Sequence, residues 1–312
     1  MSDKLHLIVP DAVLPSDAGA PAPALPPNLR ALLSAMAPEA RIEADEDSLS
    51  MPYEIAVAQA LGLPADDGRI PWAAVESNTV ATPCAWIKLC HWRVGADHVS
   101  LVPAEDLALD AASSQVLLAA MAPYFQEDGI ALRATPAMPG TWLATGELFR
   151  GLPTLSMQRA SAQRLTPTSI DTGGAAAATL RRLQNEMQML LYTHPANDER
   201  QRQGLLPVNS FWVAGAGVLD RTFVPRLDVR VEDRLVQAAR SRDAAAHAAA
   251  WQAVDADACA SLLAVLRAGG AARLTLCGDR AAQSFVKGQI GVVGRFKRVL
   301  GLNPAWDGLQ QL

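Results

Sequence analysis

The sequence is poor in the side chains that metal and redox chemistry draws on. Five histidines (His6, His91, His98, His194, His247) and four cysteines (Cys84, Cys90, Cys259, Cys277) are scattered through 312 residues, with no paired spacing of the zinc-site kind. Cys90 and His91 are adjacent, but neighbours on a strand point to opposite faces, so they do not chelate one ion together. With no secretory apolar core at its start, the chain reads as cytoplasmic and its cysteines as reduced thiols. Basic excess is missing too: the formal net charge is −5, and the one basic cluster, Arg295-Phe296-Lys297-Arg298, reads as a solvated helix face. That argues against a nucleic-acid partner. No apolar run approaches the roughly 20 residues that cross a bilayer, which argues against a membrane role. No internal repeat is present.

What remains is a chain that is half hydrophobic and 19% charged, long enough for one large domain or two packed ones. Its most informative run is 176–217. Leu180, Leu183, Met187, Leu190 and Leu191 repeat at helical spacing, and Met189, almost opposite them, predicts a helix buried on more than one side. His194-Pro195 stops that helix, and Asn197 reads as the N-cap of a short one. Ser210–Val213 then reads as a strand running into a tight Gly215-Ala216-Gly217 turn.

Elsewhere, Leu5–Val9 reads as a strand, Leu29–Met36 as a helix closed by Pro38, and Met51–Leu61 as a helix capped by Ser48 or Ser50. Trp86–Trp92 and His98–Val102 form a hairpin, followed by a helix from Ala111 to Phe125 and strands near Leu132 and Trp142. Leu227–Val231 and Arg273–Cys277 are strands around Ala-rich helices at 232–252 and 256–268, and Ile290–Leu300 is a last amphipathic helix. The alternation at both ends predicts an α/β core with mostly parallel central strands, built from residues 1–80 and 176–312, and an inserted α+β layer at 81–175.

Around the 194–209 elbow stand Arg181, Arg182, His194, Asn197, Arg200 and Asn209, groups of the kind that hold phosphate or carboxylate. The alternative is that the two asparagines brace loops while the arginines pair with Glu186, Glu199 or Asp198. Gly215 and Gly217 suit a tight turn better than a phosphate loop, because no helix opens directly after them.

In order, His194, Pro195, Asn197, Arg200, Gly204, Pro207, Asn209, Gly215 and Gly217 resemble the late motif of archaeal-type cofactor-independent phosphoglycerate mutases. Over nearly the whole chain the sequence looks closer to the RpfE-type regulatory proteins related to them. The stretches that carry this are Cys90-His91-Trp92, Pro123-Tyr124-Phe125 with Asp128-Gly129, Trp142-Leu143-Ala144, Leu152-Pro153-Thr154 and Leu180–Trp212. The resemblance implies an alkaline-phosphatase-like fold, a mixed central sheet with helices on both faces.

The active mutases use two divalent metals and a phosphorylated serine, and this chain departs from them at the ligands. The Asp-Gly-x-Gly-Asp turn after the first strand is replaced by Pro10-Asp11-Ala12-Val13, and Cys277-Gly278-Asp279-Arg280 supplies no histidine. Ser48 and Ser50 have no recognisable activating partner. Two-metal catalysis needs several converging carboxylates and imidazoles. The expectation is therefore a mutase-like regulatory protein with no metal and no other cofactor. Its partners would be a phosphorylated metabolite, a regulatory protein, or a second copy of itself. The enzyme alternative is a mutase or phosphatase with Mn or Zn on relocated ligands such as Asp11, Asp45, Asp47, His91 and Asp279. A third alternative is an interaction module using the tail around Asn303-Pro304-Ala305-Trp306.

Overall fold

The computed structural model describes residues 4–14, 25–95, 99–162, 165, 174–288 and 312. In chain order its elements begin with β1 (Lys4–Val9), α1 (Pro27–Ala35), β2 (Met36–Glu43), α2 (Pro52–Leu61), α3 (Trp72–Ser77), β3 (Cys84–Val94) and β4 (Val99–Pro103). There follow α4 (Ala111–Glu127), β5 (Ala131–Ala134), β6 (Thr141–Thr145), α5 (Met157–Ala162), α6 (Gly174–Tyr192), α7 (Pro195–Arg202) and β7 (Ser210–Gly217). The last are β8 (Val229–Val231), α8 (Val236–Arg240), α9 (Ala244–Val254), α10 (Ala260–Arg267), β9 (Ala271–Cys277) and β10 (Ala281–Lys287). The expected helix at 290–300, its basic cluster and the 303–306 tail lie outside the described residues.

The chain forms two compact units. A terminal unit comprises Met1–Glu46, Met51–Ala65 and Pro225–Leu312, and a central unit comprises Asp47–Ser50 and Asp66–Val224. This corrects the expected division, which assigned 66–80 and 176–224 to the terminal core. The reason is strand pairing: β7 lies antiparallel to β3, with Ile87 opposite Val213 and Leu89 opposite Phe211. A pairing between strands so far apart in the chain leaves no local signature.

In the terminal unit the sheet order is β2-β10-β9-β1-β8. β1 is parallel to both β8 and β9, while β10 is antiparallel to β9 and β2, so the sheet is mixed, with β10 running against the other four strands. Alternation sends Leu7, Val9, Leu274 and Leu276 to one face, against Leu29, Leu32 and Leu33 of α1 and Leu262 and Leu266 of α10. The opposite face lies under α2.

A π turn, Asp255–Cys259, joins α9 to α10. Asp255 uses this position to cap α1, which has Pro26 at its own N-cap: its carboxylate accepts the Leu29 N–H at 2.7 Å and the Asn28 N–H at 3.1 Å. β2 and β10 are strands that the sequence did not announce. Pro38 sits in β2, which is tolerated because β2 is an edge strand.

In the central unit β3 runs through an antiparallel sheet, with β7 along one side, β4 and β6 along the other, and β5 beyond β6. Ile87, Leu89, Phe211 and Val213 pack against Leu117, Met121 and Phe125 of α4 and Leu183, Met187 and Leu191 of α6. The rings of Phe125 and Phe211 lie 5.1 Å apart. Cys90, Trp212 and Ala214 face the other way, toward Leu155 and Ala160.

Two expectations fail here. Met189 is 77% exposed, so α6 is buried on one side only. Gly215 and Gly217 do not form a turn: β7 continues through both. A β-carbon on Gly215 would fall 2.8 Å from Trp72 Cβ, and one on Gly217 2.7 Å from Pro71 Cβ. These glycines let β7 lie close on the start of α3.

Candidate functional site

At the elbow between α6 and α7, His194 is the N-cap residue and its Nδ1 accepts the Ala196 N–H at 3.2 Å. Asn197 is buried. It donates from Nδ2 to the carbonyls of Leu191 (2.8 Å) and Val208 (2.6 Å), and its Oδ1 accepts the Val208 N–H at 2.8 Å. Asn209 treats Trp92 the same way, accepting its N–H at 2.7 Å and donating to its carbonyl at 2.9 Å. Continuing the β3–β7 register would set Trp92 opposite Val208. That rung is open, and one carboxamide satisfies each half of it.

Arg200, also buried, donates from Nε to Leu206 O at 2.9 Å and from Nη2 to Leu107 O. Arg182 pairs with Asp128 at 2.5 Å and Glu186 at 2.8 Å, and Arg181 is exposed on the same helix. The structure thus turns Asn197, Arg200 and Asn209 inward, leaves Arg181 and Arg182 outside, and holds His194 half-buried between them. The inward three serve backbone groups that would otherwise be orphaned.

The carboxyl ends of parallel strands are where open α/β sheets usually take ligands. Here that edge is closed by structural bonds. Asp11 follows β1 with a φ of 50° and is buried. His247 Nε2 lies 2.8 Å from Asp11 O, Trp251 Nε1 donates to Ala12 O at 3.1 Å, and the Ala12 N–H reaches Cys277 O at 2.7 Å. Glu232, after β8, accepts from Arg234 Nε at 2.5 Å and from Arg230 Nη2 at 3.2 Å; Asp257 pairs with Arg230 at 2.7 Å and Arg234 at 3.0 Å. Bonds from Arg234 hold the Glu232 carboxyl below its ordinary range, and bonds from Arg230 do the same for Asp257.

Among the described residues, no three His, Cys, Asp or Glu side chains converge as a metal ion would require. His91 is directed to Pro207 O at 2.8 Å, and Asp11 is held in the loop clamped by His247 and Trp251. The donor set does not fit a two-metal centre. Neither serine near α2 caps it: Met51 is the N-cap residue and its N–H is accepted by Glu54 at 2.7 Å, while Ser50 Oγ accepts the Gly68 N–H at 2.8 Å.

A concave feature of the terminal unit lies elsewhere, on the sheet face under α2. A cleft of about 740 Å³ is bounded by Ala56, Gln59 and Ala60 of α2 and by the amino ends of β1 and β9. Its floor carries His6, Thr275 and Ser284, joined as a row: His6 Nε2 is 2.8 Å from Thr275 Oγ1, which is 2.8 Å from Ser284 Oγ. Burial, and then the charges of Arg273 and Arg226, lower the His6 pKa to about 4. The imidazole is therefore neutral at pH 7. In the sequence His6 is one residue of the Leu5–Val9 strand. The signal that it was more is a polar side chain opposite Leu5 and Leu7 in the alternation, on a strand with helices over both faces.

No protein-family model matches the chain, and no curated protein matches it. Among solved structures it is similar to the PH0037 protein from Pyrococcus horikoshii, with 13% identity, 93% of this chain and 88% of that one covered, and a TM-score of 0.41. It is also similar to the cofactor-independent phosphoglycerate mutase from Thermoplasma acidophilum DSM 1728, with 16% identity, 92% and 90% covered, and a TM-score of 0.34. The mixed α/β architecture stands on its own strand pairing, independently of either neighbour.

Proposed function

We propose that this chain is a mutase-like regulatory protein of the RpfE type, which binds a phosphorylated small molecule and does not turn it over by two-metal chemistry. The observation that carries the reading is the state of the carboxyl-end edge. Its best-placed carboxylate, Glu232, is neutralised by Arg230 and Arg234, and the Asp11 loop is clamped by His247 and Trp251. The mutase motif at 194–217 supports the ligand class, with the polar side chains that brace the elbow also being those that match the motif.

The test is a thermal-shift titration with 2- and 3-phosphoglycerate, each with Mn²⁺ and with EDTA. A ligand present at 100 times its Kd and bound only by the folded state adds about 2.7 kcal/mol. The expected result is stabilisation that EDTA leaves unchanged, with no interconversion of the two esters. Stabilisation that requires Mn²⁺, accompanied by turnover, overturns the reading. No shift with either ester moves it to a protein partner, for which the exposed Met189 and Tyr192 of α6 are the first residues to examine.

A further inference from the structure

The cleft under α2 combines three features that neither core needs. A sheet face covered by a helix is ordinarily apolar, because polar groups placed there lose water. This one carries a histidine, a threonine and a serine instead, with Thr275 1% and Ser284 8% exposed. The side chains of α2 that line the cleft are short: Ala56 and Ala60 stand one turn apart and leave space beside the buried hydroxyls. The resulting volume falls within the range of small-molecule sites.

The third feature is charge. Lys4, Arg226, Arg273 and Lys287 line the cleft, against a single lining carboxylate, Asp228. This is a cationic patch on a chain whose formal net charge is −5. Arg226 is fixed in place, bidentate to Asp228 (2.6 and 3.0 Å) and donating to Ala60 O at 3.0 Å, which ties the rim to α2. Arg273 holds Glu39 at 2.8 Å with both side chains 41% exposed, a surface pair worth little in water and replaceable by a stronger anion. Arginine and lysine at a rim suit a phosphate group, whose oxygens accept from both. The one lining carboxylate is already taken by Arg226, and four lining cations repel a divalent cation.

We propose that this cleft is the binding site for the phosphate group of a small phosphate monoester. Arg273 and Lys287 contact the phosphate, and His6, the half-buried end of the row, contacts the rest of the molecule. The inference rests on the phosphorylated-ligand reading above and relocates the ligand from the elbow to the amino-end side of β1 and β9.

The experiment is a titration of the full chain with 3-phosphoglycerate in EDTA, followed through the imidazole resonances of His6, which His6→Gln assigns. Saturable movement of those resonances is expected, with affinity weakened at least about tenfold in Arg273→Gln/Lys287→Gln. Unliganded melting of that variant checks that it folds, and Arg273→Lys, which keeps the charge, should recover part of the affinity. Full affinity in the cleft variant together with loss of binding in Arg181→Gln/Arg182→Gln places the ligand at the elbow. That outcome overturns the cleft and leaves the phosphate-binding reading standing. Absence of any binding to the wild-type chain overturns both. Resonances that drift without saturating, equally with sulfate, overturn the cleft as a specific site.

Discussion

The elbow of the central unit and the cleft of the terminal unit hold similar side chains and use them in opposite ways. At the elbow the backbone is irregular, the β3–β7 ladder stops at Ser210, and the peptide groups of Trp92, Leu191, Leu206 and Val208 need partners. Asn197, Arg200 and Asn209 supply them. In the cleft β9 pairs without a break with β1 on one side and β10 on the other, and the irregularity of the β10–β2 pairing beside Ser284 is served by Gln283, so the side chains of His6, Thr275 and Ser284 bond one another and Arg273 bonds Glu39 rather than the main chain. Polar residues beside an irregular backbone brace the fold. Polar residues over a satisfied ladder are left for something else.

That contrast can be broken first at the elbow. Asn197→Ala removes three hydrogen bonds and leaves Val208 with an unmet N–H and C=O in the interior. The expected loss is about 3 kcal/mol of stability, read from a urea midpoint. A loss below about 1 kcal/mol would mean that water replaces the amide and that the elbow is less closed than described.

Next comes the pH dependence of the cleft. The His6 pKa is lowered in the folded state from 6.5 to about 4, so its contribution to stability is full above about 6.5 and is lost as pH falls toward about 4. Wild type should therefore lose stability relative to His6→Gln as pH falls through that window, by on the order of 2 kcal/mol at most. Parallel pH profiles for the two proteins would show that the ring is no more buried than a surface histidine.

The smallest effect sharpens the comparison most. Arg273→Gln breaks an exposed ion pair and should change stability by less than about 0.5 kcal/mol, even though it weakens the ligand. A residue that matters for binding and not for folding is what separates the cleft from the elbow.

Much of the fold was legible where a segment carries its own period. The apolar stripe of α6, the hairpin of β3 and β4, and β1 all have strong local patterns. β10 was missed because Ala281, Ala282 and Ser284 give little contrast between its two faces, and β2 because Pro38 reads as a stop unless the strand is known to be an edge. The elbow could be found from sequence because its residues are neighbours in the chain, but whether they faced inward depended on where the β3–β7 ladder ended. The cleft could not be found that way. His6 and Ser284 meet through Thr275 only because of the β1–β9–β10 register, and the β1–β9 pairing that sets it joins opposite ends of the chain.

The row on the cleft floor takes its proton arrangement from the His6 tautomer. With the proton on His6 Nε2, the ring donates to Thr275 and Thr275 can donate to Ser284. With the proton on Nδ1, every bond reverses and Ser284 donates toward the ring. Thr275 has one hydrogen and two lone pairs: when that hydrogen goes to the ring, Ser284 must donate, whereas when the ring donates, Thr275 can accept from both neighbours and leave the Ser284 hydroxyl either role. The Nδ1-protonated tautomer thus fixes the polarity of a hydroxyl two bonds away without moving a heavy atom.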